Sequence, residues 1–336
     1  MGLFDNTGKN PSGSDRTVDV VFSKLPESFE EFKKLPQASL CNVQLTINDR
    51  RKIMDIRIID AAEITASVKK LFMDMNYFIG SDILDALENA RENEVSQTGK
   101  SVLDQLIENH KIASAEEVPI CQDTGMAVLF IEYGEKVVID NGSFEDAVQE
   151  GVRQAYIDGY LRKSVVSDPV FDRLNTKDNT PAIIYTDIVK GDKIKILAGC
   201  KGFGSENMSA VKMLTPSAGI EGVKKFIMDT VKYAGPNPCP PIVVGVGIGG
   251  TFEKAAMLAK KATLRPINTD NPDERYAALE RELLDEINKT GFGPAGLGGK
   301  YTALGVNVET FPTHIAGMPV AVNICCHAAR HKETEI

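Results

Sequence analysis

The order of apolar and polar positions divides the chain in two. Over residues 58–75, 80–95 and 100–111 apolar positions recur at helical steps, as Ile83, Leu84, Leu87 and Ala90 do in the second stretch. Ser28, followed three residues later by Glu31, reads as a capping box opening an earlier short helix. Residues 17–115 are therefore predicted to be mostly helical, behind a polar, flexible tail at 1–16. After residue 116 the texture changes. AVLFIEY (127–133), AIIYTDIV (182–189), KIKILA (193–198), IVVGV (242–246), TALGVNVE (302–309) and PVAVNI (319–324) are rich in strand formers and bounded by Gly, Pro, Asn or Asp. Helical patterns lie between them near 144–161, 219–234, 252–264 and 273–288, and Ser143 with Asp146 caps the first. No internal repeat stands out. The expected fold is α+β (mixed α/β), one large domain over 17–336 with its α/β part at 116–331.

Composition narrows the class. The 336 residues are 43% hydrophobic and 25% charged, enough for a sizeable core. Net charge is −9, without the basic surplus of a nucleic-acid binder, so no nucleic-acid partner is expected, although net charge does not exclude a local anion site. No stretch approaches the ~18 consecutive apolar residues of a membrane span. The N-terminus has no apolar signal core, and Asn6 stands where a myristoylation pattern needs Ser or Thr. Without a secretion signal, the six cysteines read as thiols or metal ligands, and the expected setting is cytoplasmic.

Four segments have the composition of chemistry. In PICQDTGMAV (119–128), Cys121, Gln122 and Asp123 stand together before a strand; the plainer reading is a buried thiol beside a turn made by Asp123 and Gly125. KGFGSENMS (201–209) offers backbone N–H groups to an anion, or is a simple loop. In GPNPCPPIVVGVGIGGTFEKAAMLAKKA (235–262), Pro238 and Pro240 hold Cys239 stiffly, as suits a ligand that must not move. Gly245, Gly247 and Gly250 match G-x-G-x-x-G, with Asp270 at a ribose-binding distance, so a nicotinamide-dependent oxidoreductase is one reading; close helix–strand packing is the other. THIAGMPVAVNICCHAARH (313–331) holds three of the four histidines and two of the six cysteines in nineteen residues, which favours a metal or active-site strand. Zinc sites usually show local C-x₂₋₄-C pairs, whereas Cys121, Cys239 and Cys326 are 118 and 87 residues apart. A site built from them must be assembled by the fold. Three thiolates leave one metal position open, and an open iron can act as a Lewis acid on a hydroxyl or carboxylate oxygen.

Taken together, PICQDTG, KGFGSENMS, NPCPP, GVGIGGTFEKAAMLAKKA, GFGPAGLGGKYTALGVNVE and THIAGMPVAVNICCHAARH resemble the iron–sulfur (class I) fumarate hydratases and their relatives, the L-tartrate dehydratase α subunits. The resemblance covers about residues 80–331. It implies a [4Fe–4S] cluster on Cys121, Cys239 and Cys326; Cys326 rather than Cys325 directly precedes HA, and Cys200 is not a ligand. It implies further that Gln122 and Asp123 lie near the substrate hydroxyl, that His314 and Arg162 bind carboxylates, and that Gly204 offers a backbone N–H. A proton-handling role falls to Asp123.

Single-chain members of that family carry a second, C-terminal catalytic domain, and this chain is expected to lack its counterpart. The resemblance therefore implies an α subunit, cluster-binding yet incomplete without a separate β subunit, which would hold the general base. The expected assembly is a homo-dimer or α2β2. The expected reaction is reversible hydration of fumarate to L-malate, with L-tartrate or another hydroxy-dicarboxylate as the alternative substrate. Two readings from other classes remain: the nicotinamide enzyme, and a non-catalytic partner that stores or senses iron.

Overall fold

The computed structural model describes residues 56–336. The expected tail at 1–16 and the capping box at Ser28 and Glu31 lie outside the described residues. Strand β1 (Arg57–Asp60) runs into helix α1 (Ala61–Tyr77), whose start is fixed by Asp60 accepting from the Ala62 N–H at 2.7 Å. Helices α2 (Ser81–Asn93) and α3 (Gln97–Glu116) follow, then β2 (Met126–Gly134) and β3 (Val137–Asp140), which pairs with β1. Helix α4 (Phe144–Asp158) starts where expected, with Ser143 Oγ accepting from the Asp146 N–H at 3.1 Å. The chain continues through β4 (Ile183–Val189), β5 (Ile194–Lys201), the single turn α5 (Phe203–Glu206), β6 (Ala210–Leu214) and α6 (Gly219–Ala234). It ends with β7 (Ile242–Gly249), α7 (Phe252–Ala262), α8 (Glu274–Asn288), β8 (Ala303–Phe311), β9 (Met318–Cys325) and β10 (Arg330–Glu335). The fold is α+β. All six expected strands are present, and β1, β3, β6 and β10 are additional. Strand β10, RHKETE, escaped notice because an edge strand tolerates the charges that mask its alternation.

Two four-stranded sheets carry the architecture, in the orders β4-β2-β5-β10 and β8-β7-β9-β6. Their pairing is the same. In each, a central strand has a parallel neighbour reached through helices, then an antiparallel neighbour, then an antiparallel edge strand. The edges are exchanged: β6 follows β5 in sequence but joins the second sheet, and β10 follows β9 but joins the first. The repeat lies in the topology, so a search for similar residues does not find it.

Side-chain alternation sets the layers. From β2, Ala127, Leu129 and Ile131 face α1 and α4 with Val68, Phe72, Val152 and Tyr156, while Val128 and Phe130 face Leu264 and Met257. Helix α7 therefore lies between the sheets; its Ala255 and Ala259 meet Ala321 of β9. Helices α6 and α8 cover the outer face of the second sheet through Ile227, Val231, Leu283 and Ile287. The α2–α3 hairpin closes over one end of that sheet, where Ile83, Leu87 and Leu103 pack with Val243, Cys325 and Ala329.

Candidate active site

Because β5 is antiparallel to β2 and β9 is antiparallel to β7, the start of each central strand lies beside the end of its neighbour. Met126 pairs with Lys201 in one sheet and Val243 with Cys325 in the other. Cys121 and Cys239 precede the two central strands, while Cys326 and the 202–206 turn directly follow the antiparallel neighbours. Topologically equivalent corners of the two sheets thus supply the candidate site.

Each loop is held by polar contacts. The Cys121 loop is anchored by Ile120, whose N–H donates to Asn76 O at 2.9 Å and whose carbonyl accepts from Asn109 Nδ2 at 2.9 Å. Asp123 accepts from the Gly125 N–H on Oδ1 and the Phe203 N–H on Oδ2, both at 2.9 Å, and so ties this loop to the 202–206 turn. Gly125 has φ 68°, and a Cβ there would lie 2.6 Å from the Lys201 carbonyl carbon, so the position needs glycine. Thr124 Oγ1 donates to Arg162 O at 2.8 Å, which sets Arg162, itself exposed, beside the same loop. Gly204 sits next to Phe203, with open space where a Cβ would be. The structure thus brings together Cys121, Gln122, Asp123, Arg162 and Gly204.

Cys239 is exposed and adopts φ 55°, a left-handed conformation rare for a residue with a Cβ. Its loop is braced by the 292–301 segment: Ala295 N–H donates to Pro240 O at 2.7 Å, and Gly296 lies against Pro236 where a Cβ would clash at 2.2 Å. Buried Glu94 holds that segment. Its carboxylate accepts from the N–H groups of Val95, Ser96, Lys300 and Tyr301 at 2.7 to 3.0 Å. Those bonds outweigh the upward push of burial and hold Glu94 below the usual carboxylate range. The GFGPAGLGGKY motif is therefore a brace for Cys239.

The third cysteine follows from alternation. Cys325, the last residue of β9, turns into the core beneath the α2–α3 hairpin, and Cys326 comes next. Burial raises the Cys239 thiol, and Cys326 and Cys121 raise it further, since a neighbouring thiolate opposes a second. Cys239 thus feels both of the other two thiols. Cys200 is excluded from the group: it is buried under α1, with Asn76 Nδ2 donating to its sulfur at 3.1 Å. Among the described residues no group of three or more His, Cys, Asp or Glu side chains is arranged to hold a single metal ion. A four-iron cluster spreads its thiolates over the corners of a cube, and an all-cysteine donor set suits it.

Residues 65–335 match the family model described as Fumarate hydratase (Fumerase). The chain belongs to that family. It is 44% identical over 275 residues to a Methanocaldococcus jannaschii protein provisionally named L(+)-tartrate dehydratase subunit alpha, covering 80% of this chain and 95% of the relative. It is 34% identical over 253 residues to L(+)-tartrate dehydratase subunit alpha of Escherichia coli O157:H7 and to that of Shigella sonnei, in each case 74% of this chain and 82% of the relative. Class I fumarate hydratases and tartrate dehydratase α subunits are thus its kin, and the chain is of hydro-lyase type. No helix among the described residues is long and apolar enough to cross a membrane.

Two sequence expectations meet a different geometry in this family member. His314 lies in the β8–β9 turn, exposed, with its Nδ1 accepting from the Ala316 N–H at 3.2 Å. Eight residues of β9 separate that turn from Cys326, roughly 25 Å of extended strand, so His314 stands at the far end of β9 from Cys326 of its own chain. The nucleotide-fingerprint glycines are also placed differently. Gly245 and Gly247 lie inside β7 and not in the turn after it, and their missing side chains let α7 approach. A Cβ on Gly247 would stand 2.0 Å from Ala255 O, and one on Gly245 2.2 Å from Ala259 O. Helix–strand packing accounts for both.

Four supporting residues were missed. Tyr156 Oη donates to Thr124 O at 2.8 Å, Asn179 Nδ2 to Gly125 O at 3.0 Å, and Arg330 Nη2 to Asp123 O at 2.7 Å, while the Asn76 side chain accepts from Arg330 Nη1 at 3.0 Å. Asn76 carries a readable signal, a polar residue within the buried stripe of α1. The others sit on distant segments that only the fold brings in.

Proposed function

We propose that this chain is the cluster-binding α component of an iron–sulfur hydro-lyase, acting on a small dicarboxylate and completed by a separate β subunit. The convergence of Cys121, Cys239 and Cys326 at the paired sheet corners is the observation that carries this reading. These three residues would hold a [4Fe–4S] cluster, which when bound supplies an open iron as a Lewis acid for a substrate hydroxyl or carboxylate oxygen. The chain's own residues would do the rest of its share. Arg162 offers a guanidinium to a carboxylate, Gly204 an accessible backbone, and Gln122 an amide beside the first ligand. Each carboxylate oxygen of Asp123 already accepts one N–H and keeps a lone pair for a proton or a substrate hydroxyl.

His314 can serve this site only from a second copy of the chain, which links the expected homo-dimer or α2β2 assembly to the chemistry. Mixed dimers of His314→Ala and Cys239→Ser chains then recover part of the activity that each variant lacks alone.

Fumarate hydration to L-malate is the reading carried forward from the sequence. L-tartrate dehydration is supported by the names of the relatives at 34 and 44% identity. The hydroxy acids L-malate and L-tartrate differ by one hydroxyl, and pocket shape decides between them. Anaerobically reconstituted protein, assayed on fumarate and L-tartrate with and without a β subunit, tests the proposal. Turnover of either substrate that requires both iron and the β subunit supports it. A loaded complex that turns over neither, or full activity without iron, overturns it.

A further inference from the structure

Arg330, the first residue of β10, is only 2% exposed, and its guanidinium is bound entirely by neutral groups. Nη1 donates to Asn76 Oδ1 at 3.0 Å and Nη2 to the Asp123 backbone carbonyl at 2.7 Å, while the buried Nε has no acceptor. Other cations of the interior have carboxylates: Lys201 has Glu206 at 3.3 Å, and Arg265 has Glu309 at 3.0 Å as well as Glu280. Among the described residues Arg330 forms no such ion pair. A guanidinium buried without an anion is costly.

Cys200, Cys326, Tyr156 and Cys121 act on it, and it acts in turn on Cys325 and His327. Cys200 and Tyr156 are fully enclosed, and burial pushes both upward, so they stay neutral near pH 7. The nearby Asp123 directs its carboxylate at two backbone N–H groups and gives Arg330 only its carbonyl. His327 is buried and held neutral, and Cys325 turns into the core, so the neighbours that face the candidate site are two of its three cysteines, Cys121 and Cys326. Three thiolates around a doubly positive four-iron core leave a net negative charge.

We propose that Arg330 is the buried counter-charge of the cluster held by Cys121, Cys239 and Cys326, raising its reduction potential and slowing its loss. The inference rests on the cluster reading above. Arg330 acts here as a positioning residue, through the cluster and not on substrate. One-electron reduction adds negative charge to the cluster, and a fixed cation beside it favours the reduced form. Wild type, Arg330→Gln and Arg330→Lys would be reconstituted anaerobically with iron and sulfide. Each would then be followed by electron paramagnetic resonance during a redox titration and by iron release to a chelator.

The glutamine variant is expected to show a lower midpoint potential and iron release about tenfold faster. The lysine variant should stay close to wild type in potential. Wild-type potential and release in a loaded Arg330→Gln protein would overturn the inference alone. If wild type binds no iron, the cluster reading falls and takes this inference with it. Should the glutamine variant not fold, Arg330→Lys decides, because it keeps the charge and loses the two-pronged donor. An unchanged potential supports the counter-charge role, and a lowered one contradicts it.

Discussion

Replacing Glu94 by glutamine tests whether a residue remote from the cysteines in sequence holds one of them in place. The Glu94 carboxylate accepts from Val95 and Ser96 on Oε1, from Tyr301 on Oε2, and from Lys300 on both. The amide turns one oxygen into a donor facing backbone N–H groups, so one or two buried donors lose their acceptor. At about 1–3 kcal/mol for each unsatisfied buried group, the loss is about 3 kcal/mol. That lowers the thermal midpoint by roughly 6–12 °C in a domain of this size. Glu92→Gln, on the exposed face of α2 just before Glu94, should change stability by no more than about 0.5 kcal/mol. The pH dependence has a defined sign. Glu94 is held below the ordinary glutamate range when folded, so its contribution is present above the unfolded value and is lost as pH falls through the folded one. The difference between wild type and variant should therefore shrink below about pH 4.5. Thermal scans across pH, with iron retention measured on the same samples, check both parts. A variant with wild-type midpoint and wild-type retention would refute the claim that the 292–301 segment braces Cys239.

Gly247→Ala should cost about 2 kcal/mol by pushing α7 off β7, and neither protein should bind NAD; an unchanged midpoint would reopen the nucleotide reading. Cys325→Ser should keep its iron while Cys326→Ser loses it, since only the second thiol lies outside the core of β9; iron counting separates them. Burial pulls His110 and His327 down to about 4, His327 also feeling His110 and Arg330. Both stay neutral in the fold while the unfolded chain takes up protons, so stability is lost as pH falls from about 6.5 toward 4. Denaturation across that window should show a shallower loss in His110→Leu; an unchanged slope would contradict the assignment.

The sequence reveals the elements well and their assembly poorly. Helices such as 219–234 and strands such as 242–249 announce themselves because each buries one regular face. Strand β10 does not, since its partner β5 lies more than a hundred residues earlier and its own residues are charged. The cysteine triplet was legible because its motifs are distinctive; its meeting point depends on two sheets with exchanged edges, which no local pattern encodes. The same physics explains the glycines of β7. Spacing alone suits a phosphate turn or a close helix, and only the approach of Ala255 and Ala259 decides. His314 shows the opposite limit: its motif is continuous with Cys326 in sequence, yet an intervening strand carries it to the other end of the sheet.

Three cysteines, and not their neighbours, are proposed to hold one cluster. Anaerobic loading of wild type and of single Cys→Ser variants at positions 121, 239, 326, 200 and 325, followed by iron counting, separates the ligands from their neighbours. Four irons per chain are expected in wild type and in the Cys200→Ser and Cys325→Ser variants, and loss of the full complement in the Cys121→Ser, Cys239→Ser and Cys326→Ser variants. Failure of wild type to load, or loss in a different set of variants, would contradict the assignment.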